Sequence, residues 1–228
     1  MPDQTVTAGL AFTYLGFDGV ELGLSDYRQT WELQRQVHAR VVAGETGPQV
    51  LYVQHPPVYT AGRRTEPHER PFDGTPVVDV DRGGKITYHG PGQLVGYPIV
   101  TLTRTIGPLE YVRRLEQAVM DLLSAYGIDG VRVEGRTGVW LPAEAGRPER
   151  KLCAIGIRVV RMTTMHGFAL NVAAEAAGPF SNIVPCGITD AGVSSIEDEL
   201  GRPAPSLVEV GRALEPHLAR QLSFALAG

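Results

Sequence analysis

The stretch "DRGGKITYHGPGQLVGYP", residues 81–98, constrains the chain more than any other segment. Gly83, Gly84, Gly90 and Gly92 fall within it. They remove side chains where a second backbone or a ligand must approach closely. Spacing alone reads as a hairpin with glycine turns. No Gly-Lys-Ser/Thr follows, so it is not a phosphate-binding P-loop, and no helix follows a G-x-G-x-x-G as in dinucleotide sites. The polar cargo points beyond a simple turn. Arg82, Lys85, Thr87, Tyr88 and His89 share one short glycine-flanked segment, a mixture that suits a binding loop.

Around this segment, short β-type runs alternate with a few helical ones. "LAFTYLG" (10–16), "QVLYVQH" (49–55), "PVVDV" (76–80) and "LVGYPIV" (94–100) read as strands. Ser25 is placed to cap a helix carrying Tyr27, Trp31, Val37 and Val41. "PLEYVRRLEQAVMDLLSAYG" is the clearest helix. Pro108 suits its first turn, and Leu109, Val112, Leu115, Val119, Leu122 and Tyr126 form one stripe. "VRVEG", "GVWLP", 151–161 and 164–172 follow as strands, with a C-terminal helix within 206–226 and a flexible lead at 1–8. The order predicts an α+β fold with a mixed β-sheet flanked by helices, in a single domain spanning 1–228.

Composition narrows the function classes. The net charge of −4 offers no global basic field for nucleic acid. Two cysteines, Cys153 and Cys186, do not make a secreted disulfide framework or a metal motif. The N-terminus lacks the basic and apolar regions of a signal peptide, and no run reaches the length of a membrane span. These features predict a cytoplasmic location without membrane attachment.

Three further segments carry candidate chemistry. In "RKLCAIGIRV" (150–159), alternation places Lys151, Cys153, Ile155 and Ile157 on one face, with Leu152, Ala154, Gly156 and Arg158 on the other. A lysine at a strand head is commonly a snorkelling surface residue, so this segment alone does not single out Lys151. In "MHGFALNV" (165–172), His166 alone reads as a structural or surface histidine and not as a ligand or base. "IVPCGI" (183–188) sets Cys186 between a proline and a glycine. A thiol at a turn is accessible in a way a strand cysteine such as Cys153 is not, and a nearby ammonium would enrich its reactive thiolate. For Cys186, packing and chemistry are evenly matched on this evidence.

Taken together, "HPPVYTAGRR", "RGGKITYHGPGQLVGYPI", "GVW…RKLCAIGIRV", "HGFALNV" and "IVPCGI" resemble the lipoyl(octanoyl) transferases, in order from about residue 10 to 200. The resemblance implies a catalytic domain with the fold of lipoate– and biotin–protein ligases. It implies transfer of an octanoyl group from octanoyl-acyl carrier protein to a lysine of a lipoyl domain, in 2-oxoacid dehydrogenase E2 subunits or glycine-cleavage H protein. By motif, Cys186 would carry the acyl group as a thioester and Lys151 would be its partner. Substrate contacts would come from Arg82, Gly83, Gly84, Lys85, Ile86, Thr87, Tyr88 and His89, from Ala154, Ile155 and Gly156, and from Gly167, Phe168 and Ala169. No cofactor or metal is implied. Cys153 departs from the small apolar residue expected there, which raises the question of a second reactive thiol.

Thioester-to-amide transfer runs downhill without a nucleotide, in keeping with the implied reaction. An acidic carrier protein suggests a basic docking rim, for which Arg63, Arg64, Arg147 and Arg150 are the candidates. Two other readings compete: an ATP-dependent lipoate–protein ligase, and a non-catalytic module that binds lipoyl domains.

Overall fold

The computed structural model describes residues 3–71, 73–144, 146–183 and 191–226. Its larger sheet contains β1 (Asp3–Thr7), β2 (Leu10–Tyr14), β3 (Gln49–Val53), β7 (Gln93–Ile99), β11 (Thr163–Asn171), β10 (Arg150–Val160), β9 (Arg136–Leu141) and β8 (Val131–Val133), in that spatial order. β2 and β3 pair in parallel, and the other neighbours along this path are antiparallel. A short β12 (Gly192–Val193) runs parallel beside the start of β10, with Lys151 opposite Val193. A second sheet places β4 (Val58–Ala61) between β5 (Val77–Asp79) and β6 (Thr87–His89). This mixed arrangement agrees with the α+β expectation.

Side chains alternate across the strands and divide between two layers. Val50 and Tyr52 of β3, Leu94 of β7, and Phe168 and Leu170 of β11 join the larger core. That core lies under α2 (Pro108–Ala125) and α4 (Leu207–Gln221). Leu51, Val53, Val95, Tyr97 and Ala169 face the other way, against Val37 and Val41 of α1 (Tyr27–Val42). A four-turn helix over one face leaves the rest of that face to the small sheet and its glycine-rich loop. The cleft forms there.

Several local expectations shift. Asp26, not Ser25, caps α1, its carboxylate accepting from Gln29 N at 2.9 Å. The Ser25 amide instead donates to Gln54 O at 2.8 Å, which keeps Ser25 in extended pairing. Leu109 is 71% exposed, because the buried stripe of α2 runs through Tyr111, Leu115, Ala118, Val119, Leu122 and Leu123. Residues 3–7, expected to be a flexible lead, form β1. Its threonines donate to Glu215 on α4: Thr5 Oγ1 at 2.8 Å and Thr7 Oγ1 at 3.1 Å, beside Tyr14 OH at 2.7 Å. The C-terminal helix runs over 207–221, and a 3-10 turn follows at Ser223–Leu226. Between β12 and α4 lies a short α3 (Ile196–Leu200), capped by the Ser195 hydroxyl. Among the described residues, no helix is long and apolar enough to cross a membrane.

Candidate active site

The floor of the cleft follows from a β-bulge. Lys151 pairs with Trp140 and Cys153 with Val139, so two residues of β10 span one step of β9. The extra residue puts Leu152 and Cys153 together in the larger core. Lys151, Ala154 and Gly156 consequently share the opposite face, which corrects the alternation expected from sequence. The bulge is accommodated by Gly138 on β9. Its φ is +121°, and a Cβ there would lie 2.4 Å from Cys153 O.

Across the floor, Ala154 pairs with Ala169 and Gly156 with Gly167. These small residues open a cleft of about 380 Å³. Its lining includes Arg82 to Thr87, His89, Lys151, Ala154 to Gly156 and Gly167 to Ala169. Val95, Tyr97 and Tyr27 add apolar wall that sequence reading did not single out. Tyr88 is placed elsewhere. Its ring packs against Tyr59 and Phe180, and it fills the space beside Gly90, where a Cβ would lie 2.1 Å from its hydroxyl oxygen.

The roof is the Arg82–Lys85 loop. Arg82 braces it from within, donating through Nη1 to Lys85 O at 2.8 Å and through Nη2 to Thr60 O at 2.7 Å. Gly83 N donates to Ile157 O at 3.0 Å, tying roof to floor. A Cβ on Gly156 would approach Arg82 Cδ to 3.0 Å and Gly83 O to 3.3 Å, so a glycine is needed for this close stacking. Lys85 turns to the buried carboxylate of Glu69, forming an ion pair.

Buried histidines line or back the cleft in neutral form. His89 is held down to about 3 by burial first and then by neighbouring His55. Its ring lies 2.8 Å from Gln93 Oε1 through Nδ1 and 3.4 Å from Thr60 Oγ1 through Nε2. The neutral tautomer that satisfies Gln93 carries its proton on Nδ1. His166 is held to about 3 by burial, then by Arg82. It adopts φ of +56° within β11 because its amide turns to Gln34 Oε1 of α1 at 3.0 Å, while Nε2 meets Asp81 at 2.9 Å. Asp81 also pairs with Arg158. Neither histidine is matched to proton transfer near neutral pH.

Lys151 is only 8% exposed, with Nζ 4.5 Å from the centroid of the Trp140 ring. The π face supports an ammonium there. Cys153 is fully buried among core residues, and burial pushes its thiol far above the ordinary range. It packs in the larger core. Cys186, with Pro185 and Gly187, lies outside the described residues. Ala191, Gly192 and Val193 line a smaller cavity together with Lys151, Trp140 and Asn171. Among the described residues, no group of three His, Cys, Asp or Glu side chains converges as metal ligands would.

The four-arginine rim is corrected by the ion pairs. Arg150 is 4% exposed and held by Glu199 at 2.6 Å and Glu144 at 3.2 Å. Arg147 shares Glu199 at 2.7 Å. Arg150 is therefore not an available surface charge, whereas Arg147 remains exposed while paired. Arg63 and Arg64 are exposed, and their amides are fixed to Arg82 O and Gly84 O at the cleft edge.

Comparison with known proteins accounts for this arrangement. Residues 26–219 match the lipoyl protein ligase A/B catalytic domain. The chain is 57% identical to an octanoyltransferase of Cutibacterium acnes, over 95% of this chain and 82% of that protein. An octanoyltransferase of Mycobacterium avium is 62% identical over 80% of this chain and 77% of its own length. The chain belongs to the octanoyltransferase family. Solved structures agree in fold. A putative lipoate protein ligase from Thermoplasma acidophilum with bound lipoic acid superposes with a TM-score of 0.65 at 15% identity, covering 89% of this chain and 84% of that one. Lipoate-protein ligase A bound with ATP gives 0.61 at 16% identity, with the same coverages. The mixed sheet and flanking helices of this octanoyltransferase-family chain are thus similar in architecture to those of lipoate-protein ligases.

Proposed function

We propose that this chain transfers an octanoyl group from octanoyl-acyl carrier protein to a lysine amine of a lipoyl domain, through a thioester on Cys186. The observation that carries the reading is Lys151. It is almost fully buried at the head of an apolar, small-residue cleft and sits beside the strand that follows the Cys186 segment. Burial of the tail at roughly 0.8 kcal/mol per methylene gives several kcal/mol for acyl recognition.

The chemistry balances with these two side chains. The Lys151 ammonium stabilises the Cys186 thiolate, which attacks the donor thioester carbonyl. The carrier thiolate leaves and takes the Lys151 proton, so Lys151 becomes a neutral amine. The acceptor lysine then attacks the acyl-enzyme, its surplus proton passes to Lys151, and the Cys186 thiolate departs as the amide forms. The whole chain acts as one catalytic domain, and acceptors include E2 subunits and glycine-cleavage H protein. The reaction takes place in the cytoplasm.

Incubation with octanoyl-carrier protein, followed by intact-mass analysis, tests the reading. A hydroxylamine-labile octanoyl adduct is expected, and adding a lipoyl domain without ATP should discharge it onto that domain. Absence of any adduct refutes the covalent mechanism. Modification that occurs only with ATP and free acid points to a ligase instead.

A further inference from the structure

A directed hydrogen-bond chain runs from the roof of the cleft to the strand beside Lys151. Arg82 Nη2 donates to Thr60 Oγ1 at 2.9 Å, and Thr60 meets His89. His89 Nδ1 donates to Gln93 Oε1, and Gln93 Nε2 donates to Asn171 Oδ1 at 2.8 Å. Asn171 Nδ2 then donates to Ser194 O at 3.0 Å, while Ser194 N donates to Lys151 O at 3.0 Å.

Asn171 is the turning point of this chain. It is 3% exposed, at the end of β11, and lines the small cavity next to Lys151 and Ala191. Both ends of its amide are used, which fixes its orientation: the acceptor serves Gln93 and the donor serves Ser194. The opposite face of Ser194 is already tied to Lys151. One amide therefore clamps the return strand between β11 and β10.

We infer that Asn171 is a positioning residue for the transfer reaction, holding the strand that follows residue 186 in register against Lys151. The inference rests on the transfer reading above. Asn171 touches no reacting group in this role. It sets how the backbone that leads away from the nucleophile lies beside its partner amine. A carboxylate at this position keeps the acceptor toward Gln93 but opposes the Ser194 carbonyl, while alanine loses both bonds.

Asn171→Asp and Asn171→Ala should each lower kcat about tenfold or more, with KM for the octanoyl donor changed less than about threefold. Both should slow iodoacetamide labelling of the thiol at 186, and hydrogen exchange should rise in the 191–195 segment while β7 stays protected. If Asn171→Asp matches the unaltered protein in kcat and labelling, the donor to Ser194 is irrelevant and the inference is overturned. If KM rises and kcat holds, the residue serves acyl binding instead, which also overturns it. Asn171→Ala provides the same decision should the aspartate variant fold poorly. Loss of transfer in the unaltered protein would indict the functional reading. Normal transfer there with unimpaired variants would indict Asn171 alone.

Discussion

Lys151 and Cys153 stand two positions apart on β10 yet face opposite sides of the sheet, separated by the bulge that seats Leu152 with Cys153 in the larger core. The cysteine nearest the buried lysine in sequence therefore lies in the core and not in the cleft lining. Its thiol is pushed up by burial.

Cys153→Ala should consequently retain octanoyl transfer within about twofold, at a modest stability cost for the lost buried volume. Cys186→Ser should abolish the hydroxylamine-labile adduct. Peptide mapping of the acylated protein distinguishes the two thiols, and an adduct on residue 153 contradicts the assignment.

Lys151→Ala should reduce turnover at least about a hundredfold, since it removes the proposed proton carrier of both half-reactions. Lys151→Arg should be nearly as impaired, because a guanidinium stabilises a thiolate but does not become a neutral base near pH 7. Single-turnover acylation and deacylation assays separate these steps. Arginine should spare the first more than the second.

In the proposed reading, the floor pair Ala154–Ala169 sets the width available to the acyl tail. Ala169→Val should lower kcat/KM for octanoyl donors about tenfold while hexanoyl donors lose less, given the one-methylene scale of apolar discrimination. Competition between the two donors, read by mass spectrometry of the lipoyl domain, checks the ratio. Equal loss for both chain lengths contradicts a tail site at this floor.

Glu199 gives a pH prediction. Burial opposes its charge, but the Arg150 hydrogen bonds, supported by Ser194 and Arg147, hold its carboxyl down to about 2 from 4.5. A depressed carboxyl stabilises the fold above its unfolded value, and this contribution is lost as pH falls from about 4.5 toward 2. It amounts to about 3 kcal/mol. Glu199→Gln should be destabilised by that order at pH 7, with the gap narrowing at pH 3. Urea midpoints at the two pH values measure it.

Charge reversal should divide the four arginines of the expected rim. Arg63→Glu with Arg64→Glu should raise KM for the acidic carrier and flatten its salt dependence, leaving thermal stability close to unchanged. Arg150→Glu should instead unfold or strongly destabilise the protein, because it leaves Glu199 buried beside a like charge. Salt-dependent kinetics beside a melting curve separate the two effects.

Much of this was legible in the sequence wherever a pattern was local. The longer strands, the helical character of α2 and the glycine-rich loop announce themselves through periodicity and turn residues. The bulge was not legible, since "RKLCAIGIRV" alternates evenly and the extra residue is defined by its partner strand. Burial of Arg150 was hidden for the same reason, its carboxylate partner lying 49 positions away. Asn171 and Gln93 carry no pattern of their own. Their roles exist only once β7, β11 and the return strand are side by side.

The Thr5, Thr7 and Tyr14 hydroxyls converge on Glu215, a residue 210 positions beyond Thr5. During synthesis at about 5–20 residues per second, the first hairpin emerges some ten seconds or more before the helix that completes it. Until then, three hydroxyls lack the carboxylate that accepts from them. Ribosome-bound chains halted before α4 should therefore show faster amide exchange in β1 and β2 than the finished chain does.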